Sequence, residues 1–225
     1  MTLFTIPTRQ QEMLSTIEAE YRETAALTGL PAPGSRTLQA MAEVSRREFV
    51  PLTVKHLAYA NSPLPIGHGQ TISQPYIVAL MTDLLDPQPG DKILEIGTGC
   101  GYQTAILAQL AGKVFSIELI SELAASAAGH LQNTRNVELK NADGYNGWPE
   151  QAPFDGIMVT AAADHVPEQL RQQLKIGGRL VIPVGPIGGY QELLLIRRLD
   201  AENFSNESIL GVAFVPLLRK RTRDH

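Results

Sequence analysis

The run Ile93-Leu94-Glu95-Ile96-Gly97-Thr98-Gly99-Cys100-Gly101-Tyr102 limits the possible folds of this chain more than any other stretch. It reads as a buried strand running into a glycine-rich turn, followed by a helix starting near Gln103. Glycines at alternate positions let the backbone turn sharply and approach a ligand that a Cβ would hold off. The free N–H groups at the start of the helix favour a polar or anionic group. A dinucleotide fingerprint, Gly-x-Gly-x-x-Gly, would put its third glycine one place later than Gly101, where Tyr102 stands. That spacing favours a nucleoside ligand without a pyrophosphate, such as S-adenosylmethionine, over a nicotinamide dinucleotide. Taken alone, the loop also suits an ordinary tight turn.

The next two turns narrow the choice. Lys113 to Ile117 reads as a second strand ending in Glu118, about 20 positions past the glycine turn. A carboxylate there can accept hydrogen bonds from both ribose hydroxyls and would repel a 2′-phosphate. A third strand, Val137 to Lys140, leads into Asn141-Ala142-Asp143-Gly144, which would place Asp143 at the adenine edge as acceptor for the exocyclic amine. Singly, Glu118 could be a solvated strand end and Asp143-Gly144 a plain turn. Three consecutive strands with the right group at each end form a more specific pattern than any one of them.

Strands and helices alternate through this region: strand 92–96, helix 103–110, strand 113–117, helix 121–132, strand 136–140, strand 155–160 and helix 167–174. Such alternation implies right-handed crossovers and a parallel sheet with helices on both faces. Gly177-Gly178 introduces a strand over 179–184, and further strands are expected over 192–199 and 209–215, with antiparallel pairing among the last three. Upstream, Met13, Ile17, Tyr21 and Ala25 form one stripe of a helix over 11–26, and a second helix spans about 36–44. Residues 52–75 look too irregular for a core element, and Pro75 opens a helix running to about Leu85. The expected fold class is α/β: a mostly parallel, doubly wound Rossmann-like sheet with antiparallel strands at its C-terminal end and an N-terminal helical extension. Residues 1–75 would form a helical and substrate-loop segment and 76–225 the core of one compact unit. The charged tail, Arg219 to His225, is expected to fray.

With 225 residues the chain is long enough for one well-packed domain with an added lobe. A net charge of −4 gives no reason to expect nucleic acid or a membrane surface. The single cysteine excludes an intrachain disulfide and suits a reducing compartment. Met1 to Gln11 shows no signal-peptide pattern, and no apolar run approaches the roughly 20 residues that cross a bilayer. A cytoplasmic location is expected, with a monomer favoured. His56, His130 and His165 lack metal-ligand spacing, so no metal site is expected.

Two more segments carry a family resemblance. Residues 142–157 read Ala-Asp-Gly-Tyr-Asn-Gly-Trp-Pro-Glu-Gln-Ala-Pro-Phe-Asp-Gly-Ile, and residues 63–76 read Pro-Leu-Pro-Ile-Gly-His-Gly-Gln-Thr-Ile-Ser-Gln-Pro-Tyr. Together with the glycine loop, Gly177 to Gly185 and Phe214-Val215-Pro216-Leu217, they resemble protein-L-isoaspartate O-methyltransferases across roughly residues 36–217. The resemblance implies an S-adenosylmethionine-dependent methyltransferase fold. It also implies transfer of the methyl group to the free carboxylate of isoaspartyl residues in damaged proteins or peptides, releasing S-adenosyl-L-homocysteine. The methyl ester then re-forms a succinimide unaided, and hydrolysis returns some normal aspartate. By the same resemblance Ser73 is the active-site hydroxyl, and Thr71, Ile72 and Ser73 bind substrate. Glu95, Gly97, Thr98, Gly99, Gly101, Tyr102, Gln103, Glu118, Leu119, Asp143 and Gly144 would hold the cofactor.

The residues also have plainer readings. Ser73 could be the N-cap of the helix beginning at Pro75. His68, between two glycines, reads as an exposed loop residue, and Cys100 as a small packing residue; Trp148 and Phe154 shield the adenine-side loop or fill the core. Asn61 stands where the family pattern has Asp, which removes a charge, and residues 1–32 show little similarity to the family. A methyltransferase of this fold with another acceptor, or a non-catalytic binding protein, therefore remains an alternative.

Overall fold

The computed structural model describes residues 8–220. The expectations for the leader-free start and the end of the frayed tail fall in part on 1–7 and 221–225, outside the described residues. Helix α1 (Arg9–Thr28) starts on a reciprocal cap: the Gln11 N–H donates to the Thr8 hydroxyl and the Thr8 N–H to the Gln11 side chain. Met13, Ile17 and Tyr21 are buried as the stripe predicts. Ala25 is only half-buried, and Thr28 completes the buried face instead. Helix α2 (Ser35–Glu43) follows the proline turn.

Two short 3-10 turns, Arg46–Phe49 and Leu52–Leu57, lead to a hairpin of β1 (Leu64–Gly67) and β2 (Gln70–Ile72). This hairpin corrects the reading of 52–75 as devoid of core elements. Leu64, Ile66 and Ile72 alternate inward and are buried. Gly67, His68 and Gly69 form its turn with positive φ throughout, which breaks the apolar pattern and hides the strands from the sequence. Helix α3 (Pro75–Leu85) begins at Pro75 as expected, and Asp86 stops it in a left-handed conformation.

From there the main sheet assembles. Its elements are β3 (Lys92–Ile96), α4 (Tyr102–Leu110), β4 (Lys113–Glu118), α5 (Ser121–His130), β5 (Val137–Asn141), β6 (Phe154–Val159), α6 (Glu168–Gln172), β7 (Leu174–Val184), β8 (Gln191–Arg198) and β9 (Phe204–Val212). The seven strands lie in the order β5-β4-β3-β6-β7-β8-β9, parallel as far as β7 and antiparallel through β8 and β9. The chain winds outward from β3 to β5 and then crosses to β6 on the other side. Such a reversal opens a crevice at the carboxyl ends of β3 and β6, where open α/β sheets bind ligands. The Gly97–Tyr102 turn stands at that point.

Two boundaries differ from expectation. Strand β7 begins at Leu174 and runs through Gly177-Gly178, so α6 is a single short turn. Gly177 adopts φ 83° and the β6–β7 register shifts nearby, so the glycine pair bends the strand without ending it. Strand β9 starts at Phe204, and the chain beyond it forms an isolated bridge from Pro216 to Ala162.

The N-terminal extension is tied to the core by Asp83 on α3. Its carboxylate accepts from the Tyr21 hydroxyl at 2.6 Å, the Gly34 N–H at 2.9 Å and the Thr37 hydroxyl, so one side chain joins α1, the turn and α2. Burial and the neighbouring Asp83 carboxylate push the Tyr21 phenol far above its usual range, which keeps it a donor.

Candidate active site

The glycine turn is held at both ends by backbone bonds. The Gly97 N–H donates to the Ile117 carbonyl at 2.8 Å, and the Gly101 N–H to the Thr98 carbonyl at 2.8 Å. Gly97 has φ 97°, and a Cβ added there would collide with the Thr160 hydroxyl. That hydroxyl donates to the Gly97 carbonyl at 2.6 Å, fixing β6 against the turn. No side chain caps the start of α4, so its first N–H groups remain for a ligand.

Glu118 closes the turn from the end of β4. Its Oε2 accepts from the Gly99 N–H at 2.8 Å and its Oε1 from the Ile120 N–H at 2.9 Å. Each oxygen keeps a second lone pair, and the side chain lines the cleft together with Leu119 and Gly144. This arrangement suits a ribose diol.

Glu95 stands differently from its expected place as a cofactor contact. It is fully buried beneath the turn and lines none of the cavities at the site. Its Oε2 accepts from Ser116 and Thr104, both at 2.5 Å, and Ser116 is itself bonded to the Thr98 hydroxyl at 2.6 Å. Glu95 therefore shapes the turn through two intermediaries. Burial pushes its carboxyl up to about 7, against the two hydroxyl donors that lower it. A raised folded-state value means Glu95 stabilises the fold fully below its unfolded value near 4.5, and that contribution is lost as pH rises through 7. Glu95→Gln should therefore flatten the fall in stability between pH 4.5 and 7.5. Denaturant melts at both ends should show a change of up to about 3 kcal/mol in the variant-minus-parent difference.

Asp143 stands at the head of the short turn after β5. Its Oδ1 accepts from the Tyr145 N–H at 3.0 Å and its Oδ2 from the Lys220 N–H at 2.9 Å, so it caps a short turn and holds the C-terminal segment. Arg219 lies 3.7 Å over the Tyr145 ring, strengthening the same junction. Pro216, Leu217 and Leu218 thereby form a strap along the cleft beside Gly144. The cleft has parts of 40 and 30 Å³, both of which include Gly97.

Thr98, Tyr102 and Gln103 line the inner part of the cleft, whereas Gly101 faces away, towards Leu131. Tyr102 meets Phe49 edge to face and lies under the buried Arg46 guanidinium, 5.3 Å from the ring centroid. Burial pushes the Cys100 thiol up to about 11, so it is no thiolate nucleophile. Trp148 and Phe154 both pack on Phe115 in the second core layer. His68 sits exposed at the hairpin tip. Among the described residues no cluster of His, Cys, Asp and Glu could hold a metal ion.

Next to the cleft lies a cavity of 530 Å³ between α1 and α3 on one side and the end of β9 with the Gly189-Tyr190 turn on the other. Thr71 and Ser73 line both this cavity and the inner cleft, so the two hydroxyl-bearing residues form the partition between them. Ile72, between them, is buried and lines only the cleft. Ser73 is not the N-cap of α3: Gln74 occupies that place. The residue before a proline is held extended, which moves the cap to Gln74. The Tyr76 N–H is met instead by the Asn61 Oδ1 at 3.1 Å. The Ser73 hydroxyl is thus not used in capping. Sequence reasoning gave no role to Glu20, Gln74, Tyr76, Thr160 or the strap; Gln74 and Tyr76 lie in the 63–76 motif and the strap in Phe214-Val215-Pro216-Leu217, whereas Glu20 had no such signal.

Comparison with known proteins agrees with this geometry. A family model described as protein-L-isoaspartate(D-aspartate) O-methyltransferase matches residues 32–222. A protein-L-isoaspartate O-methyltransferase 2 from Polaromonas sp. is 52% identical over 211 residues, covering 93% of this chain and 100% of that protein. A solved protein-L-isoaspartate O-methyltransferase aligns with a TM-score of 0.78 at 27% identity, over 92% of this chain and 65% of that one. A Plasmodium falciparum structure assigned to the same enzyme, in complex with S-adenosyl-L-homocysteine, shares the fold with a TM-score of 0.75 at 23% identity, over 92% of this chain and 99% of that one. With about half of its residues shared along nearly its whole length, this chain belongs to the protein-L-isoaspartate(D-aspartate) O-methyltransferase family, whose members are S-adenosylmethionine-dependent protein carboxyl methyltransferases.

Proposed function

We propose that the chain methylates the free carboxylate of isoaspartyl residues across the partition formed by Thr71 and Ser73. The observation that carries this reading is that these two residues line both the 530 Å³ cavity and the cleft against the glycine turn. A peptide on one side and a sulfonium on the other would meet there. Bound S-adenosylmethionine supplies an electrophilic methyl group. The acceptor carboxylate is already ionised at neutral pH, so no general base is required. Ser73 and Thr71 donate to the carboxylate oxygens and orient them. Among the described residues no Lys or Arg lines the cavity, so none of them holds the carboxylate too tightly to react. Leu210, Val212 and Phe214 supply apolar walls that exclude water.

On the cofactor side, Gly97, Gly99 and Gly101 shape the turn for the methionine moiety, and Thr98, Tyr102 and Gln103 line it. Glu118 with Leu119 takes the ribose. Gly144 faces the adenine end, where Asp143 acts by holding the strap closed. Glu95 is a positioning residue.

The segment up to residue 75, over its described residues, and the core act as one unit, joined through Asp83. The reading takes proteins or peptides as partners and favours a monomer, and a net charge of −4 gives no reason to expect nucleic acid or a membrane surface. No helix among the described residues is long and apolar enough to cross a membrane. The lone buried thiol, Cys100, supports a cytoplasmic setting. The decisive experiment is methyl transfer from labelled S-adenosylmethionine to matched peptides differing only in an isoaspartyl or aspartyl linkage. Label should appear in the isoaspartyl peptide alone; label in neither, with the cofactor bound, would point to another acceptor.

A further inference from the structure

Among the described residues the 530 Å³ cavity has a single carboxylate in its wall, and that carboxylate comes from the N-terminal extension. Glu20 projects from α1, two turns along from Met13, and lines the cavity with Ser73 and Gln74. Its Oε1 accepts from the Asn61 side-chain amide at 2.6 Å, and both oxygens lie 3.3–3.5 Å from the Gln74 amide. These donors are neutral. They orient the carboxylate without cancelling its charge, and among the described residues the charged group that acts on Glu20 is another carboxylate, Glu23. Partial burial and Glu23 push the Glu20 carboxyl up, which marks a site that would gain from a cation. Among the described residues all other lining side chains are uncharged at neutral pH.

We infer that Glu20 is a specificity-determining residue that selects isoaspartyl sites with a basic residue next to the damaged linkage and rejects those with an acidic one. The inference rests on the reaction proposed above. A carboxylate facing a half-desolvated groove attracts a neighbouring ammonium or guanidinium and repels a second carboxylate, and the effect weakens with salt. The rest of the peptide meets neutral, largely apolar walls, so flanking charge is read chiefly at Glu20. The selection acts on binding and should appear in KM more than in kcat.

The test compares isoaspartyl peptides identical except for Lys, Ala or Glu beside the isoaspartyl residue, on either side. They are assayed at low and high salt with the full chain, Glu20→Gln and Glu20→Lys. For the parent at low salt, kcat/KM should be about tenfold higher for the Lys peptide than for the Glu peptide on at least one side, and the ratio should shrink with salt. Glu20→Gln, which can still accept from Asn61, should bring the ratio to about twofold or less, and Glu20→Lys should invert it. A purely structural role would lower activity on all peptides alike and leave the ratio unchanged. A ratio preserved in Glu20→Gln, or absent in the parent, overturns the inference. No transfer to any isoaspartyl peptide overturns the reaction itself, and the inference with it.

Discussion

Ser73→Ala is expected to lose methyl transfer to an isoaspartyl peptide by a factor of about 30, with S-adenosylmethionine affinity within about twofold of the parent. The size of the loss follows from what the hydroxyl does. In acyl transfer a donor meets charge that grows in the transition state, and removing one costs about 100- to 1,000-fold. Here the carboxylate loses charge as it is methylated, so a donor aids by orientation and not by stabilising new charge. The expected loss is therefore smaller. The hydroxyl is not consumed in capping, because Gln74 holds the N-cap position and Asn61 serves the Tyr76 N–H. Removing it should leave α3 intact. Thr71 borders the same two spaces, so Thr71→Val should add to the loss when combined with Ser73→Ala. Isothermal titration with the cofactor, beside initial rates on the peptide, separates the two quantities. An equal loss in cofactor affinity and rate would move Ser73 out of the substrate role. A rate within twofold of the parent would leave Thr71 and the backbone to orient the acceptor.

What the sequence revealed, and what it hid, depends on how local the determinants are. The strand ending at Ile96, the turn after it and the start of α3 at Pro75 were legible because each depends on neighbours in the chain. The parallel pairing of β3 to β7 followed from the alternation of strands with helices. Glu95 was misplaced for a different reason. Its position in β3 fits a ligand-facing residue equally well, and only the register that sets it opposite Ser116, with α4 bringing Thr104 over both, shows that it is sealed in. Asp143 finds its second partner 77 residues away, at Lys220, so no local pattern could show that it holds a strap. Gly177-Gly178 read as a break because glycine usually weakens a strand, but pairing with β6 on either side, at Leu174 and Arg179, carries β7 through it. Glu20 left no trace in the sequence. It becomes a wall of the acceptor cavity only because Tyr21, one residue on, is drawn to Asp83 and docks α1 against α3. The cofactor half of the site is written in contiguous motifs, whereas the acceptor half depends on packing between distant helices.

Gly97→Ala tests the cofactor half, with the larger expected effect. At φ 97° an alanine is strained, and its Cβ would overlap the Thr160 hydroxyl. Strain of about 1–2 kcal/mol and overpacking of about 1–3 kcal/mol together give about 3 kcal/mol, or roughly 6–12 °C in Tm for a chain of this size. The cofactor should suffer more than the fold. To relieve the clash, either the turn moves away from β6 or Thr160 rotates and gives up its bonds to the Ile96 and Gly97 carbonyls. Gly97 belongs to both parts of the cleft, so either response displaces the backbone where they join. S-adenosylmethionine affinity should fall at least about 100-fold, and methyl transfer with it. Thr160→Ala separates the two causes. Alone it should cost about 1 kcal/mol for the lost hydrogen bonds. In the double variant it removes the oxygen that the new methyl group strikes and leaves only the φ strain. The double variant should then be more stable than the sum of the single changes by about 1–2 kcal/mol, and part of the cofactor affinity should return. Strict additivity in denaturant melts would mean that backbone strain alone disables Gly97→Ala. Cofactor affinity unchanged in Gly97→Ala would mean that the turn does not approach the ligand closely.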